Sequence, residues 1–245
     1  MGGLWGSFAN VCIYRLPQDK GVVAGRSYCP KCKTQISWYD NIPIISYLLI
    51  QGKCRKCKKQ ISIQYLLVEL LSILSFVVAY FLYGITVTTL LFIILALAFI
   101  IIFFIDLKHF IIPNSLTFPL MFIGFVKSFD PNLNELFPNY INSLIGGVFG
   151  YGIIWAIIFI YKILRNKEGM GLGDAKLLSA IGFWFGWIAI PFVMFLSSVI
   201  ALISVVPGLL KNSKTMSSQI PFGPYIILGT LVYLFFENTF KSLLF

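Results

Sequence analysis

The chain has 245 residues, of which 58% are hydrophobic and only 11% are charged. Soluble domains carry about 25% charged residues, so this composition excludes an ordinary soluble protein as well as a disordered chain, a collagen, a coiled coil or a secreted disulfide scaffold. At about 20 residues per span, the length suits about seven or eight membrane helices joined by short loops.

The predicted elements follow in chain order from an unusual start. Residues 1–14 are apolar, but a helix of that length extends only about 21 Å against a hydrocarbon core of about 30 Å. We therefore expect a truncated or partial first membrane helix. After a basic loop at 15–60, apolar runs follow at 61–83, 87–105, 110–126, 140–161, 177–210 (long enough for two spans, with a turn at 187–191) and 220–236.

Lysine and arginine are distributed unevenly between the loops. If the loops alternate between the two sides of a membrane, 17 of the 19 basic residues fall on the side that holds 15–60, 106–110, 162–176 and 211–219. Because cytoplasmic loops carry the positive excess, this side is predicted to be cytoplasmic. The net charge of +10 is then explained by topology, with the lipid bilayer rather than a nucleic acid as partner.

Four cysteines form two pairs in the basic loop: Cys29 with Cys32, and Cys54 with Cys57. Two pairs of this spacing predict a tetrahedral zinc site. Two disulfides are the alternative, but they are disfavoured in the cytoplasm. With four protein ligands the zinc would be structural rather than catalytic. A nucleic-acid-binding zinc ribbon also fits the basic residues, although it would be unusual within a membrane protein.

Three acidic residues lie in or beside the predicted spans. Asp106 and Asp174 each stand at the cytoplasmic edge of an apolar run, at matching depth, and Glu69 lies inside a run. Acids in a membrane are costly and usually functional, although a single acid at a helix end can also be an interfacial anchor. Two carboxylates that approach each other cannot both ionise, so one can activate water while the other donates a proton.

Glycines precede the second aspartate in the sequence Gly-Met-Gly-Leu-Gly-Asp at 169–174. We expect them to form a loop with positive φ angles that lets the backbone approach a substrate strand. A nucleotide-binding loop is disfavoured, because no Gly-Lys-Ser/Thr follows and no strand precedes it.

A transporter or proton relay that uses Asp106 and Asp174 is the main alternative to hydrolysis, because intramembrane carboxylates also carry protons. That alternative predicts inverted repeats and helices broken at mid-membrane. The sequence shows no convincing repeat, and both aspartates are predicted near the membrane surface.

Together, these motifs resemble the type IV prepilin peptidases over nearly the whole chain. The resemblance rests on residues 6–10 with 14–17, the two cysteine pairs with 38–43 and 46–47 between them, 104–108 with 112–114, 171–176, and 220–224.

The resemblance implies an aspartic protease of the bacterial inner membrane, with Asp106 and Asp174 as the catalytic pair facing the cytoplasm. Its substrates would be prepilins or pseudopilins of type IV pili, type II secretion or DNA-uptake systems, from which it removes a short basic leader. Many members also methylate the new N-terminal amine with S-adenosylmethionine.

Five residues are candidates for binding S-adenosylmethionine. The resemblance associates Gly6, Asn10, Arg15 and Glu69 with methylation, and Asp40 and Glu69 are also residue types that suit a sulfonium cation. A buried structural role is the alternative for Glu69.

The predicted fold is therefore all-α, a polytopic membrane helical bundle of seven to eight spans with a small cytoplasmic zinc-binding loop domain. Its three parts are a partial first membrane helix at 1–14, the zinc-binding loop domain at 15–60 and a multi-span peptidase domain at 61–245.

Overall fold

The structure, a computed structural model, describes residues 1–23, 27–133, 136–165, 171–210 and 220–236. Within these ranges the regular elements are helices, with two isolated β-bridges, Tyr28 to Gln35 and Lys53 to Gln60, which confirms the all-α prediction. The α-helices are α1 (Gly2–Arg15), α2 (Ile45–Leu49), α3 (Gln64–Tyr83), α4 (Val87–His109), α5 (Asn114–Val126), α6 (Tyr140–Arg165), α7 (Leu172–Phe185), α8 (Ala189–Leu210) and α9 (Gly223–Phe235). Short 3-10 helices lie at Leu16–Gln18, Trp38–Asn41, Lys127–Phe129 and Pro131–Leu133.

Each apolar run of the sequence is helical, and α3, α4, α6 and α8 are long and apolar enough to cross a membrane. The helices α1, α5, α7 and α9 have only 13 or 14 residues. The count of seven to eight spans therefore stays a prediction. The turn predicted at 187–191 lies slightly earlier, because α7 ends at Phe185 and α8 begins at Ala189.

Glycines end two of the apolar helices. Gly84 follows α3 with φ 64°, and Gly186 follows α7 with φ 81°. The amide of each donates to the carbonyl four residues earlier, over 2.8 Å in both cases. Because a residue with a Cβ rarely adopts such angles, these glycines fix where the two helices stop.

The chain divides into two compact units, Met1–Ile105 and Asp106–Phe245. In the first unit, α1 packs closely against α3 through Gly2 and Gly6, which are four residues apart. A Cβ at Gly2 would lie 2.8 Å from Ile73 Cα, and one at Gly6 would lie 2.8 Å from Glu69 Cα. Small residues at this spacing let two membrane helices approach each other. The predicted division at residues 14 and 60 stays a prediction.

The buried helix α7 is central to the second unit, where it packs against α5, α6, α8 and α9. Its contact with α6 is a backbone contact: a Cβ at Gly182 would collide with the carbonyl of Gly146. Two hydrogen bonds also connect α6 and α7. Ser143 Oγ donates to the carbonyl of Phe183 over 2.7 Å, and Ser179 Oγ donates to the carbonyl of Gly147 over 2.8 Å.

Two contacts hold the C-terminal end of α7, one with α5 and one with Lys127, the residue directly after α5. Lys127 Nζ donates to the carbonyl of Trp184 over 3.0 Å and lies 3.7 Å from the ring centre of Phe137. Trp184 Nε1 also donates to the carbonyl of Leu120 over 2.8 Å. The position of α7, and of the aspartate at its other end, is therefore set by contacts along its whole length.

Candidate active site and zinc-binding loop

The two predicted catalytic aspartates lie in one buried site of the second unit. Asp106 stands on the last turn of α4 and Asp174 on the first turn of α7, and the two residues are 4% and 8% exposed. The two carboxylates are close enough to interact electrostatically. The amide of Gly223, the first residue of α9, donates to Asp106 Oδ2 over 3.0 Å. Three helix ends therefore meet at the pair.

The glycines before Asp174 do not have the conformation that the sequence suggested. Gly171 is the N-cap of α7 with φ −84°, and Gly173 lies within the helix, so the expectation of positive φ is wrong for both. Gly173 instead provides space: a Cβ there would lie 3.0 Å from Ile112 Cβ. Asp174 consequently belongs to a helix rather than to a loop. The earlier part of that motif, 169–170, lies outside the described residues.

A hydrogen bond joins the two aspartate motifs. Lys176 Nζ donates to Asn114 Oδ1 over 2.8 Å, across 62 residues of sequence. Lys176 follows Asp174 by two residues, and Asn114 begins α5 shortly after Asp106. This contact connects the first turns of α7 and α5.

Paired, buried carboxylates of this kind have a defined chemical capacity. Because two negative charges close together are unfavourable, such a pair can hold one proton between its two carboxylates. The ionised partner can take a proton from water, and the protonated partner can donate one to a carbonyl oxygen. The arrangement is therefore suited to hydrolysis of a peptide bond.

The four cysteines of the basic loop converge as predicted. The sulfurs of Cys29, Cys32, Cys54 and Cys57 all lie within 4.8 Å of one another, and Cys29 Sγ is 3.9 Å from Cys57 Sγ. In a tetrahedral site with Zn–S bonds of about 2.3 Å, the sulfurs are about 3.8 Å apart. The residues present thus fit a zinc ion.

Two equivalent turns build this cluster, a repeat that the sequence analysis missed. Residues 29–37 and 54–62 both read Cys-x-Lys-Cys-Lys-x-Gln-Ile-Ser. In each turn the amide of the fifth residue, Lys33 or Lys58, donates to the carbonyl of the first cysteine. These lysines have φ 56° and 55°. Comparing the two cysteine pairs with their flanking residues would have revealed the repeat.

Three cysteines of the cluster have shifted pKa values. Hydrogen bonds with the hydroxyl and amide of Thr34 lower the pKa of Cys32 to about 6, and backbone amides at Cys57 and Lys56 lower the pKa of Cys54. A hydrogen bond from Lys59 favours the thiolate of Cys57, but partial burial and the neighbouring sulfurs raise its pKa to about 11. A divalent cation would stabilise all four thiolates, which are the metal-binding form.

Three of the five candidate cofactor residues lie along the contact of α1 with α3. Gly6 packs against Glu69, and Asn10 Nδ2 donates to the carbonyl of Tyr65 over 3.0 Å. Glu69 Oε2 accepts a hydrogen bond from the amide of Ile44 over 2.8 Å. The first unit therefore holds these residues together in space.

The other two candidates have contacts within the basic loop. Arg15 is buried and donates from Nη1 to the carbonyl of Gly21 over 3.1 Å. Asp40 pairs with Arg55, whose Nε lies 2.7 Å from Asp40 Oδ1. A role for any of the five in binding a methyl donor stays a prediction.

Two features of the site had a sequence signal whose meaning was not recognised. The segment 220–224 contributed to the resemblance without an assigned role, and it supplies the amide that contacts Asp106. Ile44 lies between the segments 38–43 and 46–47, which carry the resemblance, and its amide donates a hydrogen bond to Glu69.

Comparisons with known families cover most of the chain. The bacterial peptidase A24 N-terminal domain matches residues 1–83, and the type IV leader peptidase family matches residues 93–206.

Curated relatives are similar over almost their full length. A prepilin leader peptidase/N-methyltransferase of Aeromonas hydrophila is 35% identical, over 96% of this chain and 88% of the relative. Proteins of the same name from Vibrio cholerae and Neisseria gonorrhoeae are 37% and 33% identical, over 94% and 99% of this chain and 92% and 91% of the relatives. No solved structure matches the chain.

Proposed function

The chain belongs to the type IV leader peptidase family, and we propose that it removes the leader of a prepilin or pseudopilin and then methylates the new N terminus. Both activities are in the name that its relatives share. The observation that carries the cleavage half is the buried pair Asp106 and Asp174.

In the proposed reaction, one aspartate of the pair is ionised and the other is protonated. The ionised carboxylate takes a proton from a water molecule, and the resulting hydroxide attacks the scissile carbonyl carbon. The protonated carboxyl donates to the carbonyl oxygen as the tetrahedral intermediate forms. On collapse of that intermediate, the C–N bond breaks and the amine leaves with a proton from the pair. The amide of Gly223 holds one carboxylate oxygen of Asp106 in place throughout.

We propose that this site faces the cytoplasm of the bacterial inner membrane. Asp106, Asp174 and Lys176, which the sequence predicts to be cytoplasmic, lie at one end of the second unit, where Lys176 contacts Asn114 at the start of α5. The contacts of Lys127 and Gly186 lie at the other ends of α5 and α7. This separation agrees with the distribution of basic residues, which predicts the same side for the first group. The loop 211–219, also predicted to be cytoplasmic, lies outside the described residues.

We propose S-adenosylmethionine as the methyl donor and a structural zinc ion in the four-cysteine cluster. Residues of the first unit (Gly6, Asn10, Arg15, Asp40 and Glu69) are the candidates for supporting methyl transfer. The zinc ion would be held by Cys29, Cys32, Cys54 and Cys57, and it would keep a basic loop with little apolar core in one conformation.

The test uses purified protein in detergent, a prepilin with its leader, and mass spectrometry of the substrate with and without S-adenosylmethionine. We expect a mass loss equal to the leader, and an added methyl group only when the donor is present. Asp106→Asn and Asp174→Asn should each abolish cleavage and leave the protein in the membrane, because an amide cannot serve as the acid or the base.

The outcomes separate the competing interpretations. Normal cleavage by either Asn variant would remove that residue from the catalytic pair. If the wild type cleaves none of several prepilins, the result would favour a transporter or proton relay. The family matches favour the peptidase over that alternative.

A further inference from the structure

The main chain turns abruptly between the 3-10 helix Trp38–Asn41 and α2. The amide of Ile45 donates to the carbonyl of Pro43 over 2.6 Å, which closes a three-residue turn centred on Ile44. Ile44 has φ 62° and ψ −54°, so this is the rare γ-turn with a positive φ. A β-branched residue at positive φ is a backbone outlier, and such a conformation persists only where its surroundings hold it.

A carboxylate on a neighbouring helix holds this turn. The amide of Ile44 donates to Glu69 Oε2 over 2.8 Å, and Glu69 lies on α3 with only 9% of its surface exposed. The central amide of the turn is therefore hydrogen-bonded to α3. Without that acceptor, the strained turn would also have to leave a partly buried N–H group unpaired, which is unfavourable.

The glycine-rich face of α1 supports both partners of this hydrogen bond. A Cβ at Gly3 would lie 3.1 Å from Pro43 Cβ, so α1 packs directly against the first residue of the turn. A Cβ at Gly6 would lie 2.8 Å from Glu69 Cα. The turn is consequently held from α3 by a hydrogen bond and from α1 by close packing.

We infer that Glu69 is a positioning residue for methyl transfer, whose carboxylate holds the turn at Ile44 and with it the adjoining segment that carries Asp40. Glu69 is then not a ligand of the methyl donor, and Gly6 acts through the same turn. The inference rests on the proposed methyltransferase activity. Its support is that Glu69 Oε2 is already engaged by a main-chain amide at a point of backbone strain.

Two substitutions of Glu69 separate positioning from direct contact with a cation. Glu69→Gln keeps an oxygen acceptor for Ile44 but loses the charge, whereas Glu69→Ala loses both. We expect Glu69→Ala to lower methyl transfer roughly tenfold or more and Glu69→Gln to stay within about threefold of the wild type. A carboxylate that binds the sulfonium would give the other pattern: both variants would raise KM for S-adenosylmethionine alike.

Ile44→Gly provides an independent test, because glycine adopts a positive φ without the penalty of a Cβ. Alone, this variant should transfer methyl groups nearly as well as the wild type. Combined with Glu69→Ala, it should restore methyl transfer at least about threefold, since the turn no longer needs to be held. If Ile44→Gly gives no rescue and Glu69→Gln is as impaired as Glu69→Ala, the inference is overturned.

Hydrogen exchange of the amides at 44–46, followed by mass spectrometry, measures the turn without any activity. Exchange should become faster in Glu69→Ala and stay unchanged in Glu69→Gln, and unchanged exchange in Glu69→Ala would contradict the inference. Leader cleavage by the same variants checks that they are folded. If the wild type cleaves prepilin but transfers no methyl group, the methylation half of the proposed function fails, while the exchange result still decides whether Glu69 holds the turn.

Discussion

At the scale of single residues, the space around Asp106 is limited by Gly223. A Cβ at this position would lie 2.8 Å from Asp106 Oδ2 and 3.0 Å from Ile112 Cδ1. The oxygen is the end of a side chain and can move, so a larger residue would displace the carboxylate rather than unfold the helix. Position 223 therefore links the start of α9 to the geometry of the proposed catalytic pair.

Gly223→Ala is expected to lower the rate of leader cleavage about a hundredfold, because a displacement of about 1 Å at a reacting group has effects of that size. Cleavage of a prepilin by the purified variant measures this. Gly152→Ala is the matched control, since a Cβ there meets no atom within 4 Å and should leave the rate unchanged. Equal rates for the two variants would show that Gly223 does not position Asp106.

Lys33 gives a second prediction at this scale, because it adopts φ 56° in the first cysteine turn. Lys33→Ile should release zinc to a colorimetric chelator roughly tenfold faster, since a β-branched residue is strained at positive φ. Lys33→Gly should release zinc no faster than the wild type. Lys31→Ile removes the same charge from an exposed site in the same turn and is the control. If Lys31→Ile and Lys33→Ile accelerate release equally, charge rather than backbone strain is responsible.

The proximity of Asp106 and Asp174 could be predicted from the sequence, because each stands at the edge of an apolar run on the same predicted side and belongs to a specific motif. The helical conformation of the backbone at Gly173 and Asp174 could not be predicted. The helix α7 starts at Leu172 without Ser, Thr, Asp or Asn at its N-cap, so the usual local signal for a helix start is missing. The γ-turn at Ile44 was also unpredictable, because the acceptor that holds it is 25 residues away.

At the scale of elements, the contact of α6 with α7 shows how a buried helix can be held without large side chains. Gly146 and Gly182 bring the two backbones together, and the hydroxyls of Ser143 and Ser179 donate across the contact. Small residues and interhelical hydrogen bonds are the usual means of association where lipid removes the hydrophobic driving force. The position of Asp174 depends on this packing.

Gly182→Ala should destabilise the second unit by about 1–3 kcal/mol, because its Cβ would overlap the backbone of α6 at Gly146 and lie 2.9 Å from Gly147 N. The expected result is a fall of several degrees in the melting temperature of the detergent-solubilised protein. Gly152→Ala, on the same α6 but away from the contact, should melt as the wild type does. A normal melting temperature for Gly182→Ala would mean that the two helices can separate without cost.

The helices themselves were predictable, because the apolar runs after residue 60 are long and, apart from Glu69, lack charged residues. The pairing of these helices was not, since no local pattern indicates that residues 32 to 64 positions apart will touch. From the sequence alone, the glycines of α6 could indicate either a flexible helix or a close helix contact. Only the packing assigns them to a close helix contact.

At the scale of the whole molecule, the distribution of basic residues predicts which loops face the cytoplasm. The loops 15–60 and 106–110 are assigned to that side, and the turn at Gly84 and the loop 127–139 to the other. This assignment requires α3, α4 and α5 each to cross the membrane, including the 13-residue α5.

Fusions to an alkaline phosphatase that is active only outside the cytoplasm test this orientation. Fusions after Lys59 and His109 should be inactive, and fusions after Ile85 and Asp130 should be active. An inactive fusion after Asp130, with an active one after Ile85, would mean that α5 does not span. Reversed activities at all four positions would invert the proposed orientation.

The hydrogen bond from the Gly223 amide to Asp106 has a practical consequence for capturing the enzyme with its substrate. The bond comes from the main chain, and the amide oxygen of an asparagine can accept it as well as a carboxylate oxygen does. Asp106→Asn should therefore keep the contact between the start of α9 and residue 106 but lose the acid–base chemistry. A prepilin could then stay bound to this variant, with its leader still attached, long enough for the complex to be isolated and its structure determined.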